Sequence, residues 1–455
     1  MSNTDVTIRA RRSKTLAQGK SFWQQWLPNL VISNGALAVV DQGIVSFANF
    51  VTNALVARAC SKSDFGIYFM AISLLYFVRG FQEQLVSAPY TIYRHRRRGL
   101  ALSRYTGHTL THQCVLMIAT LMGMGLFAFG VAHYLSPDHA IVRALVGLLF
   151  VTPFFLLREY IRKLTFANFE FRSALILDCV VASCQITAMV GLYWTSRLSI
   201  ATAFTALAVA SGVGGLGWLL LEFHRFSFRR SRLWSDWLEN WSFGRWALAT
   251  HLIGCSTPYV MPWFVASLRG EAVTGTLGAC QNVVGMANMF VTGVSNFLSP
   301  RTAEAYAEGG TRALLAVQAK ASLMFVISLG GFAIVMWGMG DILAHTIMGE
   351  SYAGHGEIMV VLACALLANS LGMTAGNGIW AMNHPAHNLS ADVTSLVVTF
   401  GVATYLVPSL GALGAAWSAA IGHTCSALQR WLTFGRLVRL AQLRERENEP
   451  IATSQ

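Results

Sequence analysis

An all-α polytopic membrane protein, with 12 transmembrane helices in two six-helix bundles related by a pseudo-twofold axis along the membrane normal, is predicted by three observations. Hydrophobic residues make up 54% of the 455-residue chain against 12% charged, and the mean hydropathy of +0.50 is far above that of a soluble domain. The apolar residues fall into runs of about 20, the length that at 1.5 Å per residue crosses a roughly 30 Å hydrocarbon layer. The links between runs alternate between rich and poor in Lys and Arg.

The runs lie at 36–57, 65–88, 107–133, 140–158, 175–194, 199–221, 246–267, 274–298, 320–345, 357–381, 391–408 and 412–433. One set of links, within 9–20, 94–104, 158–172, 225–245, 301–320 and 430–446, holds 27 of the 33 basic residues. The other set holds only Arg58, Lys62, Arg143, Arg197 and Arg269, and Arg79 alone falls inside a run. Because Lys and Arg are retained in short cytoplasmic loops, the even number of crossings places both termini in the cytoplasm.

In domain order, the sequence gives a basic cytoplasmic arm with an interfacial helix at 1–35 and a first bundle at 36–222. An amphipathic cytoplasmic linker at 223–245, a second bundle at 246–437 and a polar cytoplasmic tail at 438–455 follow. In the arm, Arg9–Lys20 precedes Phe22, Trp23, Trp26 and Leu27, too polar and aromatic for a signal-peptide core, so no cleavage is expected. In the linker, Trp234, Trp237, Leu238 and Trp241 recur at helical spacing, as in a helix lying in the membrane interface.

The two halves also carry a weak repeat. Ala57 and Gly66 match Ala266 and Gly275 at an offset of 209, Pro89 matches Pro300 at 211, and Ala167 with Asp178 matches Ala381 with Asp392 at 214. Halves of six crossings share one orientation, with a cleft between them as the natural substrate path.

The net charge of +12 does not point to nucleic acid, because the basic residues are dispersed between apolar runs rather than gathered on one face. Anionic lipids of the inner leaflet are the expected partner, at about 1 kcal/mol per basic residue near the surface. The eight cysteines form no CxxC or zinc spacing and read as free, buried thiols. No metal site, no cofactor and no nucleotide-binding or hydrolase motif is seen, so a non-enzyme is expected.

The first hairpin, Ala36–Tyr90, carries charges where charge is expensive: Asp41 in the first run, Arg79 and Glu83 in the second. Such residues normally face a bundle interior or a wet cavity. Arg79 is the leading candidate for substrate contact, its planar fork being suited to a phosphate; an ion pair with Glu83 one turn away, or snorkelling, is the structural alternative. Asp41 and Glu83 are candidates for proton or ion coupling, against an interfacial, helix-capping Asp41. Gln82, Asn49, Asn53, His251, Gln281 and Asn282 complete the candidate lumen, and His108, His112 and Gln185 belong to the same set of polar residues within runs.

Ala57-Arg58 followed by Ser63-Asp64-Phe65-Gly66-Ile67-Tyr68 resembles the end of the first helix and start of the second in polysaccharide exporters. Gly349-Glu350-Ser351-Tyr352 and Gly411-Ala412-Leu413-Gly414-Ala415-Ala416-Trp417 are similar to that family's second half. The chain is thereby identified as a member of the polysaccharide transporter and O-antigen flippase branch of the multidrug/oligosaccharidyl-lipid/polysaccharide exporter superfamily. The resemblance implies two bundles forming a V around a cavity open alternately to either side. It also implies translocation of undecaprenyl-pyrophosphate-linked sugar across the bacterial inner membrane.

A lipid-linked sugar needs a wet, cationic lumen, which the polar residues above could supply. A proton- or sodium-coupled multidrug antiporter of the same superfamily is the alternative, favoured by Asp41 and opposed by Arg79. A third reading is a membrane scaffold docking a polysaccharide polymerase or glycosyltransferases through its basic loops.

Overall fold

The computed structural model describes residues 34–229 and 232–447. Nearly all of the expected basic arm, including its aromatic patch, and the last eight residues of the expected tail lie outside the described residues. So do the side chains of Cys255 and Asn296.

The described residues are almost entirely helical. Helices α1 (Asn34–Ala59) and α2 (Lys62–Gln82) form the first hairpin. A π turn at Glu83–Ser87 then leads into α3 (Ala88–Tyr93). The cause of the wide turn lies in Pro89: it has no N–H to offer, and its ring would strike the carbonyl four residues back in a regular helix. The first half continues with α4 (Leu100–Tyr134), α5 (Ala140–Ala167), α6 (Phe171–Trp194) and α7 (Ile200–Leu221). Then come α8 (Leu233–Arg269), α9 (Glu271–Gly285), α10 (Ala287–Leu343), α11 (Gly356–Ala381), α12 (Pro385–Leu410) and α13 (Ala412–Glu447). Helix α10 breaks at Gly310, which takes a φ of 58° that a side chain would resist.

Among the described residues nine helices are long and apolar enough to cross a membrane, so the chain is a multi-pass membrane protein. The first six expected runs all fall on such helices. The runs at 246–267, 274–298 and 412–433 do not stand among the nine on their own. The first lies in α8 with Pro258 and Pro262, the second is divided between the 15-residue α9 and the start of α10, and the third lies in the polar-studded α13.

The chain packs as two compact units. Of the described residues, the first comprises 34–52 together with those of Leu74–His251. Here α5 packs against α4, α6 and α7 over a core that includes Tyr90, Tyr105, Tyr160, Leu164 and Trp218.

The linker is not a separate helix. Its aromatic stretch forms the first turns of α8, with Trp234, Leu238 and Trp241 exposed and the polar residues Asp236 and Asn240 buried. Arg97 donates to Asp236 (3.1 Å) and Glu239 (2.6 Å), and Tyr105 to Asn240 (2.7 Å). His108 sits 2.6 Å from both Asp236 Oδ2 and the Arg229 carbonyl oxygen. His112 reaches the Leu233 carbonyl at 3.1 Å. His108 and His112 therefore hold the linker rather than lining a lumen.

The second unit comprises Asn53–Ser73 and residues 252–447, with α11 packed between α10 and α13, and α12 on α13. The tip of the first hairpin is part of it. Arg58 donates to the Thr346 carbonyl (2.7 Å), Phe65 meets Tyr352 edge-on at 6.1 Å, and Lys62 lies 5.7 Å from the same ring. The motifs 57–68 and 349–352, far apart in sequence, are thus two sides of one packed joint. Gly66 and Gly275 also meet there: a side chain on Gly66 would strike the Glu271 carbonyl, and one on Gly275 would strike the Lys62 carbonyl.

All seven described cysteines are free, and Cys114 and Cys364 are exposed rather than buried.

Candidate functional site

The first unit encloses a network of charge centred on α5. The helix places Arg158, Glu159, Arg162 and Lys163 in its last three turns, at spacings that put Arg158 and Arg162, and Glu159 and Lys163, one turn apart on shared faces. Arg162 donates to Asp41 Oδ2 of α1 and to Asp178 Oδ2 of α6, each at 2.5 Å. Arg158 pairs with the other oxygen of Asp178 and, at 2.8 Å, with Glu159. Charges this deep hold their ionised form only when paired and hydrogen-bonded, and here each carboxylate has a guanidinium.

A second layer surrounds this core. Arg79 Nη1 of α2 lies 3.5 Å from Glu159 Oε2, and its guanidinium sits 5.1 Å from the Tyr76 ring centroid. Lys163 Nζ lies 2.5 Å from Glu83 Oε1. Burial separates the layers: the side chains of Asp41 and Asp178 are 0% exposed, whereas those of Arg79, Glu83 and Lys163 are 31%, 29% and 36% exposed. The core holds three carboxylates against two guanidiniums, so it attracts the two outer cations. Those cations keep an accessible side on which a further anion could be held.

The sequence candidates distribute as follows. Asp41, Arg79, Gln82 and Glu83 all lie in or beside this network. Asp41 is fully buried, so it is a network member and not a solvated helix cap. Arg79 and Glu83 each have an ion-pair partner on α5, which their one-turn spacing did not suggest. Gln82 is buried, with its Oε1 unbonded among the described residues. The His251 ring packs against Gly80, where any side chain would strike it.

In the second unit, Asn53 donates to Asn282 Oδ1 (2.9 Å) and accepts from Tyr68 OH (3.3 Å). Asn49, of the first unit, and Gln281, of the second, are half-buried. Gln185 donates to Thr52 at 2.8 Å within the first unit.

Sequence reasoning missed Arg158, Glu159, Arg162, Lys163 and Asp178 as site residues. It ended the fourth run at Arg158 and assigned the basic residues beyond to a loop. The available signal was the stretch Arg158-Glu159-Tyr160-Ile161-Arg162-Lys163, whose charges repeat at helical spacing directly after an apolar run. Asp178 has a counterpart in the second unit at its repeat position: Asp392 is paired with Arg430.

The fold recurs in solved structures. An inward-facing multidrug resistance MATE family transporter of the MOP superfamily aligns over 89% of this chain and 99% of its own, with a TM-score of 0.71 at 14% identity. The lipid II flippase MurJ, in an inward closed conformation, aligns over 89% of this chain and 90% of its own, with a TM-score of 0.71 at 12% identity. A MOP superfamily transporter from Pyrococcus furiosus aligns over 90% and 95%, with a TM-score of 0.64 at 14% identity. A comparison with curated proteins gives no match. The family model described as polysaccharide biosynthesis protein matches residues 31–305, more than half of the chain and the whole of the charged network. The chain therefore belongs to the polysaccharide biosynthesis protein family.

Proposed function

We propose that this protein is a flippase that moves lipid-linked oligosaccharide or polysaccharide precursor to the periplasmic face of the bacterial inner membrane by alternating access. In this reading twelve helices form bundles at 36–222 and 246–437, and both termini are cytoplasmic. The observation that carries it is the two-layered charge network: a sealed ionic core that fixes α1, α5 and α6, and a half-exposed pair of cations, Arg79 and Lys163. A pyrophosphate is a compact polyanion, and two cations held at an accessible edge are what its recognition requires. Gln82 with its unbonded buried oxygen, Asn49, the Asn53–Asn282 pair, Gln281 and His251 supply hydrogen-bonding groups suited to sugar hydroxyls. Asp41 and Glu83 are the proposed coupling carboxylates.

The test is deletion followed by lipid extraction. Accumulation of sugar-linked polyprenyl carrier on the cytoplasmic face supports the flippase. A cation-coupled multidrug antiporter is the second reading, favoured by the equal TM-score of 0.71 to a multidrug transporter and by the accessible carboxylate Glu83. It requires altered dye or cation efflux with normal glycolipids.

A further inference from the structure

A cavity of about 440 Å³ in the second unit lies outside the network above and has no part in the proposed transport. It is formed where the end of α10, the start of α11 and the start of α13 meet. Its walls carry two tryptophans, Trp337 and Trp417, and two carboxylates, Asp341 and Glu357, over a floor that includes Val360 and Cys364.

The chemistry of the walls is one-sided. Besides the two indole N–H groups, no lining side chain is a strong hydrogen-bond donor, and none is cationic. A sugar, whose hydroxyls both give and accept, would leave half its capacity unmet there. An anion would be repelled. A primary ammonium only donates and is positively charged, and carboxylates beside exposed aromatic faces are the surroundings that stabilise it.

Asp341 is already positioned, because its Oδ1 accepts the Gly356 N–H at 2.6 Å and so fixes the first turn of α11. Glu357, one residue on, is exposed and has no side-chain partner among the described residues.

The position of the groove narrows the source of the ammonium. Trp337 lies six residues before the end of α10, and Val360 and Cys364 lie in the first turns of α11, both of which contain candidate membrane spans. The groove therefore sits near one end of its spans, at the depth where tryptophans mark the headgroup layer. Beside it, Ile334, Val335 and Ile342 of α10 are exposed, an apolar flank suited to acyl chains.

We infer that this groove binds the primary ammonium headgroup of an aminophospholipid, with Glu357 and Asp341 taking its N–H groups and Trp337 and Trp417 its charge. The test uses the purified full-length protein, offered phosphatidylethanolamine, phosphatidylglycerol or free ethanolamine, with bound lipid read by native mass spectrometry. The wild type should retain the ethanolamine lipid over the glycerol lipid. Glu357→Gln and Trp337→Ala, both at exposed positions, should each lower that retention about fivefold and leave the glycerol lipid unchanged. Equal retention of both lipids, unchanged retention in both variants, or displacement of the lipid by millimolar free ethanolamine would overturn the proposal.

Discussion

Gly66 and Gly275 meet in a reciprocal contact: each lies against the carbonyl oxygen of the residue four before the other, Glu271 and Lys62. The sequence repeat relates Gly66 to Gly275 at an offset of 209, and the same offset relates Lys62 to Glu271. A contact in which i meets j and j meets i is what a local twofold produces, so the glycines support the repeat from the side of geometry. Neither tolerates a side chain without parting two backbones. Gly66→Val and Gly275→Val should each cost about 1–3 kcal/mol. The double variant should cost little more than either alone, since the first already separates the helices; thermal inactivation of the purified protein measures this.

The ionic core should behave as a structural unit. Arg162→Leu leaves Asp41 and Asp178 short of a partner in a buried setting, for a loss of about 3–5 kcal/mol. The check is the folded yield and thermal midpoint of the purified variant, which should fall before any transport assay is needed.

The outer cations should separate function from folding. Arg79→Ala and Lys163→Ala each remove a half-exposed charge while the core stays paired, so folded yield should hold and transport should fall about tenfold, the equivalent of one lost charge-assisted hydrogen bond. Arg79→Lys should restore part of the activity, because it returns the charge without the fork. Full transport in Arg79→Ala at normal protein level would remove Arg79 from the substrate path.

The linker clasp should be separable from both. His108→Ala deletes two 2.6 Å contacts, to Asp236 and to the Arg229 carbonyl, at a cost of about 1.5–3 kcal/mol for a hydrogen bond to a carboxylate. Limited proteolysis around 226–232 should accelerate, while Asn240→Ala, which removes only the Tyr105 bond, should accelerate it less.

Much of the architecture was legible because membrane solvation writes it into composition. The first six runs fall on helices within a few residues at most starts, and the unusual charges Asp41, Arg79 and Glu83 do lie in one polar cluster. The partners of those charges were not legible. Arg158, Arg162 and Lys163 look like the ordinary basic end of a span, and only the third dimension shows α5 continuing to Ala167 with Arg158 buried, Arg162 paired to Asp41 and Asp178, and Lys163 paired to Glu83 at the exposed edge. His108 and His112 failed for the opposite reason: polar residues within an apolar run suggest a lumen, yet what they hold is a strand of backbone some 120 residues further on. The linker's aromatic stripe was visible, but not that its polar face would be the buried one.

One further consequence belongs to the π turn at Glu83–Ser87, where the Ala88 N–H reaches back five residues to the Glu83 carbonyl. Such a turn stores one residue more than the surrounding screw needs. Excising a single residue from it would swing everything on its N-terminal side through about 100° relative to Tyr90 and the core around it. Arg79 and Glu83 would then be aimed away from α5 with every charged side chain still present. An in-frame loss of one codon is therefore a gentler edit in chemistry, and a harsher one in geometry, than the removal of any single charge.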